Sequence, residues 1–257
     1  MIFKLDDTKK AEKIFGDWQE TSIWSCLQNV MGEIYVDDLN EPQSAMAILA
    51  DFCFFAGKPN DELVMYKPES CSNDFIIMVP RDDEWAKRIA SNYGEKAKEV
   101  TRYAIKKEAN VFDKDKLEEI VHSLQSGYAL KLIDEDIYNW CMQNNWSRDF
   151  VAQYKEYAMY QKFGLGVVAV EEKTKEPVSG ASSYTSYREG IEIEIDTKEE
   201  YRRQGLAYAC GAKLILECMK RNLYPSWDAQ NKWSVALAEK LGYHYDHEYA
   251  AYEIYGY

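Results

Sequence analysis

The chain has 257 residues, 46% apolar and 14% aromatic, enough to bury roughly 70–75% of the surface its unfolded form exposes and to exclude disorder as the main state. Its 31 lysines and arginines stand against 44 aspartates and glutamates, a formal charge of −13 that repels a phosphate backbone and excludes sequence-independent nucleic-acid binding. No apolar stretch approaches the ~18 residues of a membrane span, and Met1 to Asp7 lacks the pattern of a signal peptide, so the expectation is a soluble, cytoplasmic protein with no membrane partner.

In chain order, the spacing predicts a helix over Asp6 to Trp18 and strands at Met31 to Val36, Ala45 to Phe55, Glu62 to Tyr66 and Phe75 to Val79. A helix at Glu84 to Tyr93 and a strand at Glu99 to Lys106 complete an α+β half in which no catalytic motif occurs. A polar, helix-like stretch from Ala109 to Gly127 reads as a seam, which places the domain boundary near 126 and predicts domains over 1–126 and 127–257.

Beyond the seam come a strand at Tyr128 to Ile133, helices at Glu135 to Gln143 and Arg148 to Phe163, and strands at Gly166 to Glu171, Pro177 to Tyr187 and Ile191 to Thr197. A helix follows from about Gly205 to Arg221, then a short strand at Tyr224 to Trp227, a helix at Lys232 to Leu241 and a last strand at Tyr243 to Tyr255. This mixed order predicts an α/β fold, a mixed sheet with helices on both faces.

The six cysteines form no CxxC pair, and with three scattered histidines they offer no metal-ligand spacing. They read as reduced, mostly buried thiols, with no metal expected. Gly164 to Ala169 spells GxGxxA, but a helix precedes it and a strand follows, the reverse of a dinucleotide-binding turn. Gly164 is better explained as the end of a helix.

Tyr201-Arg202-Arg203-Gln204-Gly205-Leu206-Ala207 is more informative. It enters a helix whose Ala207, Cys210, Gly211, Leu214, Ile215, Cys218 and Met219 form one apolar stripe. Two arginines stand where free amides and the positive end of the helix dipole already concentrate charge, at a cost of a few tenths to ~1 kcal/mol unless an anion joins them. Gly205 would let the backbone approach that anion, and Ala207 keeps bulk away. The alternative is a pair of solvated arginines beside Glu199 and Glu200.

Arg202 to Ala207 resembles the R/Q-x-x-G-x-G/A pyrophosphate signature of the Gcn5-related N-acetyltransferase (GNAT) superfamily. The segment from Trp227-Asp228-Ala229-Gln230-Asn231 to Leu237-Ala238-Glu239-Lys240-Leu241-Gly242-Tyr243 resembles its fifth strand, Asn-initiated helix and closing turn. The same string is similar, more narrowly, to the subfamily named for zwittermicin A resistance acetyltransferases. The resemblance covers roughly 127–257 and implies an acetyl-CoA site, with pyrophosphate on the amides of Gln204, Gly205, Leu206 and Ala207 beside Arg202 and Arg203. It further implies pantetheine lying along Ile193, Ile195, Asp196 and Thr197, an oxyanion donor near Ile195, and Asn231 on the cofactor arm. Asn231 also reads as a plain helix N-cap. The N-terminal half would be a degenerate copy of the same fold, or a structural or lid domain.

About one alkyl amine in a thousand is neutral at pH 7, so a base is useful. Glu192 and Glu194 alternate with Ile191, Ile193 and Ile195 and so share one face of the strand, an arrangement equally met on a solvated strand. The family's habit of placing a base carboxylate on this strand favours Glu192, with Glu194 second. Where the family often carries a tyrosine acid this chain has Ala238, which leaves Ser234, another tyrosine or an unaided thiolate. The resemblance therefore implies N-acetyl transfer from acetyl-CoA to a small amine, direct and within a ternary complex, with antibiotic, polyamine, peptide N-terminus and metabolite all open as acceptor. Ala238 keeps a non-catalytic acyl-CoA-binding sensor as the alternative.

Overall fold

The computed structural model describes all 257 residues. In chain order the strands and helices of its first part are β1 (Phe3–Lys4), α1 (Glu12–Phe15), α2 (Thr21–Leu27), β2 (Glu33–Val36), β3 (Ser44–Leu49), β4 (Phe52–Gly57), α3 (Asp61–Val64), β5 (Phe75–Pro80), α4 (Asp83–Tyr93) and β6 (Ala97–Ile105). Then follow α5 (Lys114–His122), β7 (Tyr128–Leu132), α6 (Glu135–Gln143), α7 (Tyr157–Phe163), β8 (Gly166–Glu171), β9 (Pro177–Tyr187) and β10 (Gly190–Thr197). The chain ends through α8 (Leu206–Arg221), β11 (Tyr224–Ser226), β12 (Asp228–Ala229), α9 (Lys232–Leu241) and β13 (Tyr245–Tyr255). The expected α/β class with mixed sheets holds.

Two compact units divide the chain, one of Met1–Arg102 with Glu248–Tyr257 and one of Tyr103–His247. The seam expected near 126 falls inside the second unit. Leu117 and Ile120 of α5 are buried in that unit's core, and α5 packs on α8. The last strand, expected in the second domain, pairs through Tyr252–Tyr255 with β5 of the first unit. Both departures come from long-range pairing that local periodicity does not encode.

In the first unit the strands run β1-β2-β3-β4-β5-β13-β6, with β4 and β5 parallel. The apolar run Ala45 to Phe55, expected as one strand, is a hairpin. Ala50 takes φ +58° at the bend, and β3 folds back on β4 from Leu49↔Phe52 to Ser44↔Gly57. Glu62 to Tyr66, expected as a strand, begins within a helical turn instead, because Asn60 accepts the Leu63 amide and Asp61 and Glu62 sit at the positive end of its dipole. The helix expected over Asp6 to Trp18 is a 3-10 turn at Thr8–Ala11 and a single α turn that stops at Gly16. Under the sheet, Phe55 stacks on Trp85 at 5.3 Å, and the buried indole N–H finds the Gly57 carbonyl at 3.0 Å.

In the second unit β11-β10-β9-β8-β7 form a sheet that is antiparallel except for β10 with β11. The connection β10-α8-β11 is a parallel crossover, and β4-α3-β5 in the first unit repeats its order with a helix of four residues in place of sixteen. The expected helix over Arg148 to Phe163 is a 3-10 turn at Arg148–Phe150 followed, after a break, by α7. Gly164 does end α7, and a strand follows it as expected. Strand β9 is buried almost throughout although it is rich in hydroxyls. Its serines are satisfied: Ser183 and Ser186 bond the Tyr154 hydroxyl at 2.8 and 2.6 Å, and Ser182 bonds that of Tyr160 at 2.9 Å. All six cysteines are free, five of them buried.

Helix α8 anchors this unit, with Cys210, Ala212, Leu214, Ile215 and Cys218 fully buried. Two residues of its predicted stripe do less: Met219 is exposed and Ala207 only half-buried. The helix also buries a carboxylate from outside that stripe. Glu217 is buried and receives Lys213 at 3.0 Å, Lys220 at 2.9 Å and Arg221 at 2.6 Å. Burial pushes its carboxyl up, but hydrogen bonds from the three cations outweigh this and bring it down to about 2. A carboxyl lowered by folding stabilises above its unfolded value near 4.5 and loses that stabilisation as pH falls toward 2. Glu217→Gln is therefore expected to cost about 1–2 kcal/mol at pH 7, a figure discounted because the cations are partly in water. Urea unfolding at pH 7 and pH 3 checks this, and the gap between variant and wild type should narrow at the lower pH.

Candidate functional site

Strand β10 pairs with β11 at only three positions, Gly190↔Tyr224, Ile191↔Pro225 and Glu192↔Ser226. It runs on to Thr197 with β9 on its other side, so the two parallel strands part after Glu192. From Ile193 to Thr197 that edge of β10 has no strand beside it and offers its main-chain groups to an extended ligand. The register against β9 also shifts between Glu192 and Ile193, a local irregularity of the kind that re-aims side chains.

At the far end of β10 the chain makes a short 3-10 turn, Glu199–Tyr201, and enters α8. Arg203 takes φ +61° and Gly205 φ +79°, two left-handed residues close together, which turn successive amides toward one side. No side chain caps α8, and the Ala209 amide returns to the Gly205 carbonyl at 3.0 Å. The amides ahead of it in the first turn are uncapped, at the positive end of a helix of sixteen residues. A Cβ built on Gly205 would meet no atom within 4 Å, so the space a side chain there would enter is open.

The two arginines differ. Arg202 turns back on the chain, its Nε donating to the Thr197 carbonyl at 3.1 Å and its guanidinium 3.5 Å from Asp196, so part of its charge is answered internally. Arg203 is exposed. Gln204 is fastened by its side chain, whose carbonyl accepts Gln125 Nε2 and the Tyr128 hydroxyl, both at 3.1 Å. Its side chain thus holds the loop, leaving its main chain as the group on offer.

Glu192 and Glu194 are both half-buried, while Ile191 and Ile193 lie in the core and Ile195 packs against it. The Glu192 Oε1 atom is sealed from solvent. Burial first, and the Glu192 charge after it, push the Tyr187 hydroxyl up, and burial raises that of Tyr243 with Glu192 a lesser contributor behind Cys218 and Tyr224. Asn231 caps α9, accepting the Ser234 amide at 2.9 Å. The Ser234 hydroxyl accepts the Trp227 indole N–H at 2.9 Å, an arrangement that leaves its own proton to donate. Ala238 is fully buried.

One glycine joins these parts. Gly211 of α8 is so close to its neighbours that an added Cβ would lie 2.8 Å from Leu241 of α9 and 3.5 Å from Ile195 of β10. Strand β10, the body of α8 and the end of α9 therefore pack together. Sequence reasoning gave no role to Ser226, which lay unnamed within the expected strand Tyr224 to Trp227. The only available signal was that a three-residue strand ends in a hydroxyl beside a large aromatic.

The family model described as GNAT acetyltransferase matches residues 12–252, which takes in nearly all of both units. An uncharacterized N-acetyltransferase, YdfB of Bacillus subtilis (strain 168), is 29% identical over 246 residues, covering 90% of this chain and 89% of that protein. A GCN5-related N-acetyltransferase-like protein from Streptococcus suis 89/1591 superposes with a TM-score of 0.90 at 45% identity, covering 97% of this chain and 98% of that one. A GCN5-related N-acetyltransferase from Kribbella flavida, at 13% identity and a TM-score of 0.51 over 82% and 86% of the two chains, shares the fold.

Proposed function

Because this chain belongs to the GNAT acetyltransferase family, we propose that it transfers the acetyl group of acetyl-CoA to an amine of a small acceptor by direct attack in a ternary complex. The observation that carries the reading is the open β10 edge ending in an uncapped loop with two left-handed residues. An extended arm with a diphosphate at one end fits both features. In this reading the amides of Gln204, Gly205, Leu206 and Ala207 hold the diphosphate, with Arg203 supplying charge and Arg202 bracing the turn through Thr197 and Asp196. The edge from Ile193 through Ile195 to Thr197 takes the pantetheine amides, and the amide near Ile195 is the oxyanion donor. Asn231 organises the start of α9 and lies on the cofactor arm.

Acetyl-CoA supplies an acyl thioester; the chain supplies orientation and proton transfer. Glu192, beside the parting of the strands, takes the proton of the acceptor ammonium, with Glu194 next along the strand for a path through water. Ser234, its lone pair already engaged by Trp227, donates to the departing sulfur where Ala238 cannot. The string from Trp227 to Tyr243 supports a placement near the zwittermicin A resistance acetyltransferases. The repeated crossover order supports the first unit as a degenerate companion copy, in which β4 and β5 stay paired over four positions. Six free thiols support a cytoplasmic setting.

Isothermal titration with acetyl-CoA, followed by a thiol-release assay across a panel of amines, tests the proposal. Binding together with amine-dependent release is the expected result. Binding without release from any amine would favour a non-catalytic acyl-CoA sensor, and the absence of binding would overturn both.

A further inference from the structure

Ser226 is the last paired residue of β11 and lies opposite Glu192. Partners in a parallel ladder project from the same face of the sheet, so the two side chains are immediate neighbours at the point where the strands part. Ser226 is fully buried, and its Oγ makes no hydrogen bond. That departs from the general rule for buried hydroxyls, since an unmet one costs about 1–3 kcal/mol. An alanine would fill nearly the same volume without that penalty, so packing does not account for the serine. A side chain that breaks a local rule at the mouth of a candidate site is where function is to be sought.

We propose that Ser226 is a positioning residue for Glu192: its hydroxyl, which touches no protein partner, donates to the carboxylate through one trapped water and so fixes the carboxylate toward the opening between β10 and β11. The proposal deepens the acetyl-transfer reading and rests on Glu192 acting there as the base. The titratable groups that feel the Glu192 charge are Tyr187 of β9, Tyr224 of β11 and Tyr243 just ahead of β13. Burial raises all three. They stay neutral while a carboxyl titrates and do not compete with it for protons.

The test is a carbon-13 NMR titration of the Glu192 carboxyl in glutamate-labelled full-length protein, the signal being assigned by its loss in Glu192→Gln. A donated hydrogen bond favours the charged carboxylate, so Ser226→Ala should raise the midpoint by roughly 0.5–1 pH unit. Ser226→Thr, which keeps the hydroxyl, should retain the wild-type midpoint. An unchanged midpoint in Ser226→Ala overturns the proposal, as does an equal shift in Ser226→Thr. The midpoint is read without cofactor or acceptor. Titration of the same samples with acetyl-CoA judges the acetyl-transfer reading separately: wild-type protein that fails to bind would remove that reading while the midpoints still decide the coupling of Ser226 to Glu192.

Discussion

Gly205→Trp is expected to abolish acetyl-CoA binding in isothermal titration, a loss of at least about 100-fold in affinity, while the far-ultraviolet spectrum and the cooperative melt persist. Position 205 has two properties that combine in this substitution. Its φ of +79° is one that L side chains rarely adopt, so any replacement strains the backbone by about 1–2 kcal/mol. No atom lies within 4 Å of the position a Cβ would take, and Gly205 is exposed, so the substitution starts outside the core and the fold is expected to survive. In the proposed arrangement the diphosphate lies on the amides of this same loop, so an indole at position 205 competes with it for space. Gly205→Ala separates the two effects. It carries the strain with little of the bulk, and it should lower the melting temperature by a few degrees while retaining measurable affinity. Wild-type affinity in the tryptophan variant would remove the diphosphate from this loop.

The loop into α8 was legible because its signals are local. Gly205, the paired arginines and the sixteen-residue apolar helix lie within twenty residues of one another, and the helix forms as its periodicity requires. Asn231 was legible for the same reason, and it caps α9 in the expected geometry. The free edge of β10 was not. It exists because β11 is three residues long and pairs only as far as Glu192, a fact about register between segments some thirty residues apart. The internal role of Arg202 was hidden likewise, since its partners are the carbonyl and carboxylate that end the preceding strand. In the first unit the errors came from context. Glu62 to Tyr66 alternates like a strand, but Asn60 and two acidic residues cap a helical turn there. The run from Ala45 to Phe55 carried no glycine or proline to mark its bend, and Ala50 makes the turn at a positive φ that sequence rules assign to glycine or asparagine.

Glu192→Gln is expected to lower kcat by 10²–10⁴-fold with acetyl-CoA affinity unchanged, the range that a lost general base spans. The carboxamide keeps size and polarity but cannot take a proton at neutral pH. Cofactor contacts in the proposed arrangement come from main-chain groups of Ile193 to Thr197 and of the loop into α8, so the substitution leaves them in place. The two carboxylates on this strand make opposite predictions. Glu192 sits beside the last rung shared by β10 and β11, with one oxygen withdrawn from water, whereas Glu194 lies two residues on, opposite Ser182 of β9, where β11 no longer runs. Glu194→Gln should therefore change kcat by less than about 10-fold, the effect of disturbing a path through water rather than of removing the acceptor of the proton. The pH profile gives a second measurement. Loss of the base in Glu192→Gln should leave a rate that climbs with pH as free amine accumulates, tenfold per unit up to the amine's own titration near 10.4, and that approaches the wild-type rate as the solution takes over deprotonation. A deficit that stayed constant across pH would instead mean that Glu192 orients the acceptor without moving its proton. A large fall confined to Glu194→Gln would transfer the base to that residue.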